Sequence, residues 1–103
     1  MIVYKVTYTM PDDFISQNQE NIRAFMNDFK RIDASLFQYN VYQSSNRKTF
    51  IHLSHFNDEK IQKAVLSVSS FVSFQEKRDA GGLESAPLIE VLHFMESSKD
   101  IIS

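Results

Sequence analysis

His52 lies in the run Thr49-Phe50-Ile51-His52-Leu53-Ser54-His55. In an extended chain alternate side chains share a face, so His52 goes with Phe50 and Ser54, and Ile51 and Leu53 point the other way. An imidazole titrates near neutral pH and can take a proton from a phenol or orient a ligand. The alternation leaves open which face the helices cover; if Ile51 and Leu53 pack under them, His52 points into an interface between two sheets. There it serves either as a general base or as a buried hydrogen-bonding group that holds two copies in register. Tyr39 is the second group of interest. It faces opposite to Tyr42, and its phenol either donates a proton into a pocket or packs as a core aromatic with a satisfied hydroxyl. Glu90 stands amid Leu88, Leu92 and Phe94. A carboxylate covered on that face needs a partner, for which Lys5 and Arg78 are the candidates. Left unpaired it would have a raised pKa, a mark of functional sites; at a sheet edge it simply reaches water.

Other chemistries find no residues to carry them. His52 and His55 are an odd number of residues apart and point to opposite faces of a regular strand, so they cannot share a metal. The chain has no cysteine, which removes disulfide scaffolds, thiolate nucleophiles and cysteine-type zinc sites and fits a reducing cytoplasm. There is no glycine-rich phosphate loop, nucleophile elbow or metalloprotease helix. The net charge is −2, and the basic residues never cluster beyond pairs such as Lys30-Arg31. Nucleic acid is therefore not an expected partner. No apolar run approaches the ~20 residues that span a bilayer, and Met1-Ile2-Val3-Tyr4-Lys5 is too short and polar for a signal peptide.

The elements that must position these groups follow from periodicity. Residues 2–9 alternate as a strand, with Ile2, Tyr4, Val6 and Tyr8 on one face. Pro11 ends it. Ile22, Phe25, Met26, Phe29 and Ile32 form the apolar stripe of a helix over about 16–34, with Ser16 and Gln19 placed as a capping box. Residues 36–43 and 49–55 alternate as strands around the turn at 44–48, which makes them a hairpin. Ile61, Ala64, Val65 and Val68 share a helical face, and Ser69 or Ser70 can cap a second piece carrying Phe71, Phe74 and Arg78. A broken helix is expected there, stopped by Gly81-Gly82. Residues 88–95 form the last strand. One domain over 1–96 and a flexible tail over 97–103 account for a chain of 103 residues.

The order β-α-β-β-α-β predicts an α+β, ferredoxin-like fold: a four-stranded antiparallel sheet with helices on one face. Helices cover only one side of such a sheet, yet the strands carry apolar residues on both. Leu88, Leu92 and Phe94 oppose Ile89, Val91 and Met95, and Ile51 and Leu53 oppose Phe50. A second copy of the chain is the expected cover, which makes a homodimer.

The segments Leu36-Phe37-Gln38-Tyr39, Thr49-Phe50-Ile51-His52-Leu53 and Phe71-Val72-Ser73-Phe74-Gln75, in this order, resemble the dimeric α/β barrel superfamily. Within it the chain is similar to small proteins related to the antibiotic biosynthesis monooxygenases. The family pattern usually has glycine before the second strand and often arginine before the tyrosine, where this chain has Ser35 and Gln38. The resemblance implies a family of oxygenases without metal or flavin, haem-degrading enzymes, decarboxylases, isomerases and proteins of no assigned activity, and fold alone does not choose among them. Haem chemistry in the superfamily goes with a Trp and a second-helix His, which this chain lacks. The resemblance therefore implies an enzyme without cofactor or metal that acts on a small aromatic or polyketide-like molecule in an apolar pocket. Phe25, Phe71, Phe74 and Glu90 would line that pocket, and His52 or Tyr39 would hold or abstract a phenolic proton. The alternative is a non-catalytic domain that binds a small ligand or a partner protein. Nine Phe, finally, can fill a cavity by themselves.

Overall fold

A computed structural model describes residues 1–102. Strand β1 (Ile2–Thr9) leads through a short 3-10 turn (Asp12–Phe14) into helix α1 (Ile15–Phe29). Strands β2 (Phe37–Gln43) and β3 (Thr49–Phe56) form a hairpin. Helices α2 (Glu59–Leu66) and α3 (Ser69–Ala80) follow, and β4 (Leu88–Leu92) closes the order. The four strands form one sheet in the order β2-β3-β1-β4, every pairing being antiparallel. This is the split βαβ topology expected from the sequence.

The register decides which face the helices cover. Val6 stands opposite both His52 and Ile89, and Val41 opposite His52. The face carrying Tyr8, Phe50, His52, Phe56 and Phe37 is buried beneath the helices. Of the two placements that the alternation leaves open, the structure takes the one in which Ile51 and Leu53 face outward and His52 faces the helices. Both faces of β3 are apolar, and the choice falls to bulk. The large aromatic side chains occupy the inner face, where each contributes about 1.5–3 kcal/mol by burial.

The core is a packed set of aromatic rings. Phe25 of α1 lies with its ring centroid 5.0 Å from Phe29, 5.1 Å from Phe71 and 5.0 Å from Phe74. Most of these contacts are edge-on or tilted, as ring quadrupoles favour. The Ser70 hydroxyl donates to Asp28 at 2.6 Å and ties α3 to α1.

Element ends differ from expectation where local hydrogen bonds intervene. Helix α1 stops at Phe29 because Arg31 and Ile32 bond back only three residues, to Asp28 and Phe29. The Asp33 carboxylate then accepts from both the backbone and the hydroxyl of Ser35 in a tight turn. Its N-cap is Phe14, with no side-chain cap from Ser16. Helices α2 and α3 are separate, as expected, but Val68 in extended conformation, not a serine cap, divides them. Helix α2 is capped by Asp58, which accepts from the Ile61 amide at 2.9 Å. Gly81 ends α3, and Gly82 takes φ +91°. Strand β4 ends at Leu92, so Phe94 and Met95 lie beyond it. Ser103, the last residue of the expected tail, lies outside the described residues.

Candidate functional site

The inner face of β1 and β3 places Tyr8 and His52 under α1, and β2 brings Tyr39 alongside. Nε2 of His52 lies 2.7 Å from the Tyr8 hydroxyl, and Nδ1 lies 2.8 Å from the Tyr39 hydroxyl. On the far side the Asn18 side-chain amide donates to the Tyr8 hydroxyl at 3.0 Å. Asn18, Tyr8 and His52 are all buried. A Tyr8 hydroxyl that accepts from Asn18 has no other acceptor for its own proton than Nε2. His52 then carries its proton on Nδ1 and donates to Tyr39. The hydroxyl proton of Tyr39 is left at the end of the chain, free to point elsewhere.

Tyr39 and His52 both line a cavity. Between the sheet and helices α2 and α3 lies a space of about 390 Å³, within the ~300–1,000 Å³ range of small-molecule sites. Tyr4, Val6, Tyr39 and His52 form its floor. Leu66 and Phe71 supply apolar cover, and Gln62, Gln75, Arg78 and Asp79 supply polar groups. Pro87 and Ile89 border it on the β4 side, where Ile89 is exposed.

Burial governs the electrostatics. Burial first, and the Arg78 guanidinium after it, bring the His52 pKa down to about 3. Burial raises the Tyr8 phenol, against the Asn18 hydrogen bond and Arg78, which lower it. Tyr39 is raised by burial and then by Tyr8, with Arg78 again opposing. At neutral pH the chain Asn18-Tyr8-His52-Tyr39 is uncharged. Its hydrogen bonds all run in one direction, so each polarises the next.

Among the described residues Arg78 is the one cation at the cavity wall. Its guanidinium carbon sits 5.6 Å from the Tyr8 ring centroid and 5.5 Å from that of Phe74. Its Nε donates to Asp79 at 3.0 Å. Stacking on two rings fixes the plane of the guanidinium.

Among the residues singled out from sequence, His52, Tyr39 and Phe71 meet at the cavity. Phe25 and Phe74 are fully buried in the core behind it; both rings lie near His52, at 6.1 Å and 5.3 Å between centroids. Glu90 is on the other face of the sheet, opposite Lys5 in register and 4.0 Å from its ammonium. The sheet separates it from the cavity. His55 also lies on that outer face, and His93 follows β4 and is exposed, so the three histidines stand apart. Asn18 and Tyr8 were missed as site residues. The signal for Asn18 was present: it occupies a stripe position, three residues after Ile15 and four before Ile22, where an apolar residue belongs.

No protein-family model and no curated protein matches the sequence. Solved structures do match. An antibiotic biosynthesis monooxygenase superposes with a TM-score of 0.78 at 9% identity, covering 93% of this chain and 100% of that one. A protein from Mycobacterium tuberculosis gives 0.77 at 9% identity, with 95% and 98% covered. A protein from Pseudomonas aeruginosa gives 0.74 at 18% identity, with 92% and 94% covered. Over nearly its whole length the chain has the α+β fold of the antibiotic biosynthesis monooxygenase-like proteins.

Proposed function

We propose that the cavity is the active site of a monooxygenase-like enzyme that oxidises a small aromatic or polyketide-like molecule with dioxygen and without a cofactor. The observation that carries this reading is the hydrogen-bonded chain that ends on the Tyr39 hydroxyl at the cavity floor. Oxidation of an electron-rich ring such as 1-naphthol removes the hydroxyl hydrogen and one ring hydrogen. One oxygen atom of dioxygen enters the product quinone, and the other leaves as water with both hydrogens. The substrate hydroxyl releases its proton to solvent, and negative charge develops on its oxygen before the electron passes to dioxygen. A fixed donor aimed at that oxygen stabilises the charge where it forms. Tyr39 is that donor. His52 is neutral and has both nitrogens engaged, so it holds Tyr39 in place instead of taking the substrate proton. Asn18 and Tyr8 are positioning residues that fix the imidazole tautomer.

The low basicity of His52 also favours a second reading, a domain that binds the same kind of ligand without turning it over. Oxygen uptake with 1-naphthol separates the two. The enzyme reading expects uptake above the protein-free rate, and expects Tyr39→Phe to lower it about 10²–10³-fold with little change in melting temperature. Binding without uptake leaves the second reading.

We infer further that the chain works as a homodimer in the cytoplasm. The outer sheet face supports self-association, since it exposes Tyr42 (54%) and Leu88 (59%) beside half-buried Ile51 and Leu53. Among the described residues no helix is long and apolar enough to cross a membrane.

A further inference from the structure

Arg78 has no part in the chemistry above, yet its placement is costly. The side chain is 13% exposed, and a guanidinium so far from water needs compensation. Two aromatic rings and one carboxylate supply part of it. Asp79 takes only the Nε proton, and among the described residues the terminal nitrogens Nη1 and Nη2 have no acceptor. The guanidinium therefore keeps a free edge with two parallel N–H groups, the pattern that binds a carboxylate in bidentate fashion. Asp79 is 59% exposed, so water screens its charge more than that of Arg78. The interior of the site reflects this imbalance. Tyr8, Tyr39 and His52 each respond to the positive charge of Arg78 and to no carboxylate.

We propose that the cavity selects an organic anion, an aromatic carboxylate gripped by the free edge of Arg78 while its ring lies against Phe71. This rests on the cavity being the ligand site and adds the charge class of the ligand. Of the groups at the wall, Gln62 and Gln75 are neutral and can hydrogen-bond a polar substituent of either kind, and the Asp79 carboxylate, 59% exposed, is already paired with the Arg78 Nε. Discrimination by charge thus falls to Arg78. The volume of about 390 Å³ suits one small aromatic molecule.

The test compares 1-naphthoate with 1-naphthamide, which match in shape and differ in charge. Binding is followed by tyrosine fluorescence, because the chain has four Tyr and no Trp. The expected result is naphthoate binding at least about tenfold more tightly than the amide, as a charge-assisted pair gives. Arg78→Met should erase the preference and Arg78→Lys should keep part of it, because lysine retains the charge but loses the fork. Arg78 packs on Tyr8 and Phe74, so Arg78→Gln replaces Arg78→Met if the latter does not fold. Equal affinity for the two probes overturns the anion inference and leaves the cavity reading standing. So does a preference that survives loss of the guanidinium. Binding of neither probe overturns both. A clear preference for naphthoate without oxygen uptake from 1-naphthol supports the anion inference and removes the proposed oxygenase chemistry.

Discussion

Two tyrosine hydroxyls on one imidazole leave His52 without a free nitrogen, and burial leaves it without a charge. The consequence reaches stability. The unfolded chain protonates His52 near the ordinary value of 6.5, while the folded chain holds it down to about 3. A depressed histidine pKa means that the unfolded state binds the extra proton first. The stabilisation is complete above pH 6.5 and is lost as the pH falls toward 3, at about 1.4 kcal/mol per pH unit. Thermal melts between pH 6.5 and 5, above most carboxylate titrations, should show this slope, and His52→Gln should reduce it to the part left by His55, whose pKa burial also lowers. A wild-type melting temperature flat over that range would mean that His52 titrates normally. The ring nitrogens should report the Nδ1–H tautomer by NMR throughout. At this scale the sequence made His52 and Tyr39 visible through residue type alone. It did not reveal that they touch, because that contact spans 13 residues and two strands. Tyr8 looked like any aromatic of an alternating strand. Asn18 broke an apolar stripe, and such a break in a helix bound for a core points to a buried polar partner.

The elements hold the site open from above. Helix α3 supplies Phe71, Gln75 and Arg78, and its direction depends on the break at Val68 and the stop at Gly81. A Cβ on Gly81 would meet the Phe14 ring at 2.8 Å, whereas a Cβ on Gly82 finds room but an unfavourable φ of +91°. Both glycines thus seat the end of α3 against the segment that precedes α1. Gly81→Ala should force Phe14 aside and cost about 1–3 kcal/mol, and Gly82→Ala about 1–2 kcal/mol from the backbone. A loss of 1 kcal/mol lowers the melting temperature of a domain this size by about 4–8 °C. Melts of the two variants check both figures, and an unchanged melting temperature for Gly81→Ala would show that Phe14 moves freely. The glycine stop and the broken helix were legible because glycine and the change of apolar stripe are local signals. The true end of α1 was not. Ile32 continued the apolar stripe, but the Asp33–Ser35 turn captured the chain first, and side-chain capture of backbone groups leaves little trace in periodicity.

At the scale of the molecule, the sheet carries two different surfaces. The inner one is covered by helices and aromatic packing except at the cavity beside β4. The outer one mixes the Lys5–Glu90 pair with Ile51, Leu53, Tyr42, Leu88 and Leu92. Two-sided apolarity was legible in the alternation of every strand, and it is what predicts a partner. Which side faced the helices was not legible, since a period of two gives the same pattern for either choice. The total volume of Phe and Tyr on one side made the decision, and it placed His52 in the helix-covered interior. The proposed catalysis and the proposed association therefore belong to opposite faces and should be separable. Leu53→Asp places a charge on the outer face, away from the cavity. Native mass spectrometry at micromolar protein should find about twice 12.0 kDa for the wild type and a single 12.0 kDa chain for the variant, because an unpaired carboxylate buried in an interface costs several kcal/mol. The variant should retain the preference for naphthoate over naphthamide, since Arg78 and Tyr39 lie on the inner face. A monomeric wild type would remove the homodimer and leave the outer face to a different partner. A dissociated variant that loses ligand binding would mean that the second copy shapes the cavity through the sheet, most directly at Ile89 on the edge strand β4.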